Sequence, residues 1–236
     1  MVHLRKVSVF ILILSLILCS IISKENFGIL AQTSFDNIQQ NKIIIDAGHG
    51  GFDGGAVADD GTLEKDINLQ IARVLSKFCS LGGFQVIMTR TDNNGIEKDD
   101  TDTIANRKKS DMRRRLNIIN ENPDALFISI HLNKFPSSSA KGSQVFYSRN
   151  NSLSLNLAEN IQKSIVLRLQ PDNSRLIKKA DNTIFLLKNS NIPSVIVECG
   201  FLSNREELLS LKDNEYQSKM AFSIYCGIID YFTQEK

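Results

Sequence analysis

The chain has few of the residues that build disulfide frameworks and charged binding surfaces. Only four of its 236 residues are cysteine, and none of the four has CxxC spacing. This excludes a dense disulfide scaffold, so we expect the cysteines of the folded part to be small core residues. The formal net charge is only +2. No global electrostatic feature therefore predicts a nucleic-acid partner.

Residues 1–24 are predicted to form a targeting segment. A basic tip containing His3, Arg5 and Lys6 precedes an apolar run from Val7 to Ile22. As a helix this run spans roughly 24 Å at ~1.5 Å per residue, which favours a signal peptide over a full membrane span. No clear small-x-small cleavage site follows, so both a signal peptide and a membrane anchor stay open. We expect an exported, extracytoplasmic protein, either membrane-associated or secreted.

The remainder of the chain predicts a linker and one domain. Residues 25–41 are polar and unpatterned, as is typical of a linker. In residues 42–236, apolar strand-like runs alternate with segments of helical periodicity. This alternation predicts a single α/β domain with a mostly parallel, twisted sheet flanked by helices, following the N-terminal hydrophobic segment.

A long polar segment follows the predicted strand Phe84–Met88. It is acidic first and then basic, ending in Arg107-Lys108-Lys109. Because the neighbouring acids offset the charge and no aromatics are interleaved, we interpret this basic run as a solvated loop and helix face. Ser110 is predicted to cap a helix over Asp111–Asn120.

Both histidines outside the N-terminal tip stand where a predicted buried strand ends. Ile43–Ile45 leads into a glycine-rich loop that carries His49, and the apolar run Ala125–Ile130 leads into His131. The carboxyl ends of parallel strands share one edge of a sheet, so the two imidazoles can converge there. A lone histidine in such a loop is more often an ordinary polar residue, but the pair is an uncommon pattern.

Two glutamates are predicted to lie at the same edge. Glu64 opens the helix after the His49 loop, and Glu198 follows a third predicted strand, Ile192–Val197. Taken alone, Glu64 could merely complement the helix dipole. Two imidazoles and one carboxylate, however, are the ligand set of many catalytic zinc sites, and a second carboxylate can act as a general base. The pattern predicts a zinc hydrolase acting on an amide or ester, without deciding which glutamate binds zinc.

These motifs resemble those of the zinc-dependent N-acetylmuramoyl-L-alanine amidases of bacterial cell walls, the amidase-3 family. The resemblance covers about Lys42–Phe232. The matching segments occur in the family's order: Asp46–Gly51, Glu64, Arg115–Asn120, Ser129–Asn133 and Pro193–Asn204. The resemblance implies that His49, Glu64 and His131 bind zinc and that Glu198 is the catalytic base. It assigns Arg115 to a structural pattern.

Within the family, the chain looks most like the germination-specific, spore-cortex amidases of endospore formers. That likeness implies cleavage of the amide bond between N-acetylmuramic acid and L-alanine in peptidoglycan during cortex maturation. A separate deacetylase would then form muramic-δ-lactam. The expected partners are peptidoglycan, that deacetylase, a possible activator protein and a membrane contacted by the N-terminal segment; no nucleic acid is expected.

Three alternatives stay open on the sequence. One is an inactive wall-binding module, and another is a zinc peptidase or deacetylase acting on cell-wall material with similar ligands. The third is a cysteine hydrolase that uses Cys199 with His131. Since Cys199 directly follows Glu198 on a strand, its side chain should point to the opposite face of the sheet.

Overall fold

The computed structural model describes residues 41–97 and 103–234. The predicted targeting segment, 1–24, and all but the last residue of the predicted linker, 25–41, lie outside this part. Within the described residues, no helix combines the length and apolar character that crossing a membrane requires.

Strands and helices alternate along the described part of the chain. The strands are β1 (Lys42–Ala47), β2 (Gln85–Met88), β3 (Ala125–Asn133), β4 (Gln144–Tyr147), β5 (Lys178–Lys179) and β6 (Ser194–Phe201). The helices are α1 (Glu64–Leu81), α2 (Ile104–Asn120), α3 (Leu153–Arg168), α4 (Phe185–Asn189), α5 (Arg205–Lys212) and α6 (Asn214–Gln234). The prediction of a single α/β domain is confirmed.

The strands form one sheet in the order β2-β1-β3-β6-β4-β5. Four neighbouring strands, β2, β1, β3 and β6, run parallel to one another. β4 is antiparallel to β6, and β5 is parallel to β4. The mostly parallel sheet predicted from the sequence is therefore confirmed. The carboxyl ends of β1, β3 and β6 consequently lie side by side, and we call this the carboxyl edge.

Helices cover both faces of the sheet. On one face, Ile44 of β1 and Phe127 of β3 share an apolar cluster with Ile119 of α2 and Leu187 of α4. The alternation of a strand points Ile43 to the other face, where α1 packs on β1 and β3 and is itself covered by α6. A strand buried on both faces needs apolar residues at every position, which explains the continuous apolar run of β1.

The predicted start of α2 is wrong. The helix begins at Ile104, where the Thr103 hydroxyl accepts a hydrogen bond from Asn106 N at 3.2 Å, and Ser110 lies inside the helix. Thr103 satisfies one of the free backbone N–H groups at the helix start, and the Arg and Lys residues that follow favour helix. The basic run Arg107–Lys109 therefore belongs to the first turns of α2.

Candidate metal centre

A constrained loop places His49 beside His131. His49 has a φ of 62°, a left-handed conformation that is uncommon outside glycine. Two hydrogen bonds hold this backbone: Arg115 Nη2 donates to His49 O at 2.7 Å, and Gly48 N donates to Ile130 O at 3.0 Å. A Cβ at position 48 would lie 2.3 Å from His131 Nε2, so the close approach requires glycine. The two imidazole centroids are 4.9 Å apart as a result.

Glu64, the first residue of α1, connects the two imidazoles. Its Oε2 lies 3.2 Å from His49 Nε2, and its Oε1 lies 2.9 Å from His131 Nδ1. The backbone N–H groups of Ala56 and Leu132 also donate to this carboxylate, at 2.8 and 3.0 Å. One ligand atom from each of His49, Glu64 and His131 lies within 4.8 Å of the others. The structure thus brings together the three residues predicted to bind a metal.

Hydrogen bonds shift the pKa values of Glu64 and His49 in this cluster. Burial alone would raise the pKa of Glu64, but hydrogen bonds with His131 and His49 hold that pKa well below its usual range. Burial would lower the pKa of His49, yet hydrogen bonds with Asp53 and Glu64 raise it to about 9. Glu64 is therefore an anion held in place by surrounding donors, as a carboxylate ligand for a cation should be.

Glu198 occupies a different environment on the neighbouring strand. It is the register partner of His131 across the β3–β6 pair, so both residues lie at the carboxyl edge. Its Oε2 is buried and has no hydrogen-bond partner among the described residues. Burial raises the pKa of Glu198 to about 7. The two glutamates are thus distinguished. Glu64 contacts both imidazoles, whereas one buried carboxyl oxygen of Glu198 accepts no hydrogen bond from any described residue.

A cavity of about 260 Å³ opens beside the two histidines. Its lining is mainly apolar and comes from the His49 loop, α2, β6 and the start of α4. The apolar lining residues are Phe52, Met112, Ile184, Phe185, Leu186 and Ile196. His49 and His131 line one wall of the cavity.

Cys199 is buried with no exposed surface. Burial raises the pKa of its thiol, so the thiolate form needed for nucleophilic attack is disfavoured at neutral pH. The structure therefore argues against the cysteine-hydrolase alternative.

Sequence reasoning missed two residues that adjoin the site. Asp53 Oδ2 lies 3.0 Å from His49 Nδ1, and Lys108 Nζ lies 3.1 Å from Asp53 Oδ1. The sequence feature that could have identified Asp53 is its position, four residues after His49 in a glycine-rich turn. Lys108 comes from another element, and its place in the basic run gave no indication of this contact.

Fold and cluster together define an α/β protein with a candidate metal centre of two histidines and one glutamate on the carboxyl edge of its sheet. Residues 43–230 match the Amidase_3 family, which is described as N-acetylmuramoyl-L-alanine amidase. The chain belongs to this family.

Individual relatives agree with this assignment. The germination-specific N-acetylmuramoyl-L-alanine amidase of Bacillus subtilis is 39% identical over 193 residues, covering 82% of this chain and 80% of that protein. The solved CwlD amidase from Clostridioides difficile, in complex with the GerS lipoprotein, is 41% identical with a TM-score of 0.80, covering 83% of this chain and 100% of that chain. The amidase LytC of Bacillus subtilis is 32% identical over 192 residues, covering 80% of this chain and 35% of the longer protein. The predicted enzyme class is confirmed.

Proposed function

We propose that the protein hydrolyses the amide bond between N-acetylmuramic acid and L-alanine in peptidoglycan, with zinc bound by His49, Glu64 and His131. The observation that carries this proposal is the convergence of the three ligand atoms within 4.8 Å. Two imidazoles and one carboxylate fit catalytic zinc, which keeps a further position for water or substrate. Glu198 pairs with His131 in the strand register, and its buried Oε2 has no hydrogen-bond partner within residues 41–97 and 103–234. This supports Glu198 as the second carboxylate, which does not bind the metal.

The chemistry follows from these roles. When bound, zinc supplies Lewis acidity, which makes water more acidic and polarises an amide carbonyl. Glu198 accepts a proton from the attacking water and returns it to the leaving nitrogen. The water oxygen bonds to the lactyl carbonyl carbon, and the carbon–nitrogen bond breaks. The products are a lactyl carboxylate on the glycan and a free amine on L-alanine.

Incubating peptidoglycan with the full-length, zinc-loaded chain is expected to release peptides that begin with free L-alanine. Mass spectrometry of the soluble fragments should also find glycans that carry an intact lactyl group. Both products should disappear when a zinc chelator is present and return when zinc is restored, because the ligands alone supply no Lewis acid.

Other product patterns would contradict the proposal. Fragments cut within the stem peptide would indicate a zinc peptidase, and loss of acetyl groups would indicate a deacetylase. Cleavage that persists in the chelator, with zinc shown to be absent, would refute the metal assignment.

Replacing His49 or His131 by alanine is expected to weaken zinc binding by more than about 100-fold. Even residues that only support metal ligands typically contribute 10- to 100-fold, so removal of a ligand should cost more. Competition with a colorimetric chelator measures the affinity, and Lys134→Ala, an exposed change on the same edge, is the control. Zinc affinity equal to that of the unaltered chain would remove the substituted histidine from the ligand set.

In the cell, we infer that the enzyme acts outside the cytoplasm and removes stem peptides during spore-cortex maturation. The germination-specific Bacillus subtilis relative and the apolar N-terminal segment support this placement. A separate deacetylase would then act on the exposed lactyl glycan to form muramic-δ-lactam. The Clostridioides difficile relative was solved with a lipoprotein. By analogy we propose an exported activator protein for this chain.

A further inference from the structure

The basic run at the start of α2 packs against the loop that carries His49. The Arg107 guanidinium lies over the ring of Phe52, 4.1 Å from its centroid, and pairs with Glu97 at 2.6 Å. One residue further on, Lys108 Nζ lies 3.1 Å from Asp53 Oδ1. Two successive basic side chains thus contact residues on the far side of the His49 loop. The roles proposed for the zinc ligands and the catalytic base do not explain either contact.

Asp53 connects this contact to His49. The other oxygen of the same carboxylate, Oδ2, lies 3.0 Å from His49 Nδ1. A carboxylate only accepts hydrogen bonds, so Nδ1 of His49 carries the proton in this pair. The second ring nitrogen, Nε2, faces Glu64 at 3.2 Å. The ring is therefore oriented with its outer nitrogen on Asp53 and its inner nitrogen in the candidate metal centre.

We propose that Asp53, itself held by Lys108, is a positioning residue that sets the tautomer and orientation of His49 and thereby the metal affinity. Because Nδ1 keeps its proton in the hydrogen bond to Asp53, Nε2, which faces Glu64, is the ring nitrogen that gives up its proton when a metal ion binds. Arg115 holds the left-handed backbone of His49 through its carbonyl oxygen, and Asp53 fixes the imidazole ring that this backbone presents. This inference rests on the proposed zinc site.

A purely structural role for the Lys108–Asp53 contact predicts a different result. The Lys108 side chain is 54% exposed, and exposed ion pairs add little to folding stability. Asp53 also accepts a long hydrogen bond from Gly55 N at 3.4 Å within its own turn. If the contact served only the fold, its loss would change stability and leave zinc affinity unchanged.

The test compares zinc affinity among full-length variants, with the free chelator signal as the readout. We expect Asp53→Ala to weaken zinc binding by about 10- to 100-fold, the usual effect of losing a partner behind a metal ligand. The zinc affinity of Asp53→Asn should lie between those of Asp53→Ala and the unaltered chain. The amide oxygen of asparagine still accepts a hydrogen bond from Nδ1 of His49 but carries no charge. Lys108→Met should weaken binding less than Asp53→Ala. Lys109→Met, an exposed neighbour in the same basic run, should leave it unchanged.

Two further measurements separate positioning from folding. Urea unfolding of the metal-free variants should give nearly the same midpoint for Lys108→Met and the unaltered chain. Nitrogen-15 NMR of the zinc-loaded protein should show a protonated Nδ1 on His49, and this signal should be lost or shifted in Asp53→Ala.

The outcomes are distinguishable from failure of the proposed function. If the unaltered chain binds zinc tightly and both Asp53 variants bind it with the same affinity as the unaltered chain, the positioning role alone is overturned. Failure of the folded, unaltered chain to bind zinc would overturn the zinc site and this inference together.

Discussion

Replacing Glu198 by glutamine is expected to lower kcat by about 10²- to 10⁴-fold while zinc occupancy stays at the level of the unaltered enzyme. A proton donor and acceptor at the reacting atoms typically contributes a rate factor of this size. Glutamine preserves the shape of the side chain but cannot accept a proton from water and return it to nitrogen. The three proposed zinc ligands stay intact in this variant. The rate of release of L-alanine-headed peptides and the zinc content of the purified protein are the two measurements.

A matched control is available close by in the sequence. Glu206 is exposed in the first turn of α5, so Glu206→Gln removes a carboxylate without touching the site. Turnover in this control should equal that of the unaltered enzyme. Loss of zinc in Glu198→Gln would show that Glu198 is a ligand instead of the base. Full turnover with zinc retained would place the base elsewhere.

The contrast between the two glutamates is the physical basis of this prediction. Glu64 receives hydrogen bonds from two backbone N–H groups and contacts both imidazoles, which keep its pKa low. In the part of the chain that the structure describes, no donor reaches the buried Oε2 of Glu198, and burial raises the pKa of Glu198 to about 7. Environments that push the pKa values of two carboxyl groups apart commonly assign them different roles. The sequence-based interpretation without the family resemblance could not make this distinction, because both residues simply lie near strand or helix ends.

The positions of His49, His131 and Glu198 were predictable because each was assigned to the end of a predicted buried strand. The apolar runs of β1, β3 and β6 are continuous, without alternating polar residues, which indicated parallel strands covered on both faces. Once the strands are parallel, His49, His131 and Glu198 must share the carboxyl edge. The position of Glu64 was predictable because it begins the helix that comes after the His49 loop.

The supporting contacts were not predictable in the same way. The first turns of α2 are polar and lack apolar periodicity, so the sequence predicted a later helix start. The contact of Lys108 with Asp53 depends on where that early helix packs, which is a tertiary property. The reversed direction of β4 is likewise set by its pairing with β6, because the alternation of its side chains is the same in either direction.

Replacing Arg115 by alanine is expected to lower the free energy of unfolding by about 3–5 kcal/mol, the usual cost of removing one partner of a buried ion pair. Arg115 has no exposed surface. It pairs with Asp46 through Nη1 and with Asp111 at 2.7 Å, and it donates to the carbonyl oxygens of Ala47 at 3.0 Å and His49 at 2.7 Å. The variant leaves two buried carboxylates, Asp46 and Asp111, without the Arg115 cation, and it removes the Arg115 hydrogen bond to His49 O. Ala47 O keeps its hydrogen bond from Arg90 Nε at 2.9 Å. Urea unfolding of the metal-free chain measures the change.

Arg113→Ala is the control on the same helix, since Arg113 is exposed and its loss should change stability by no more than about 0.5 kcal/mol. Zinc affinity should fall in Arg115→Ala as well, because the guanidinium holds the backbone of His49 in its left-handed conformation. Arg115 also lines the cavity beside the histidines. A variant that unfolds like the unaltered chain and keeps zinc but loses turnover would therefore show that Arg115 contacts the substrate, and the structural role inferred from its buried network would be wrong.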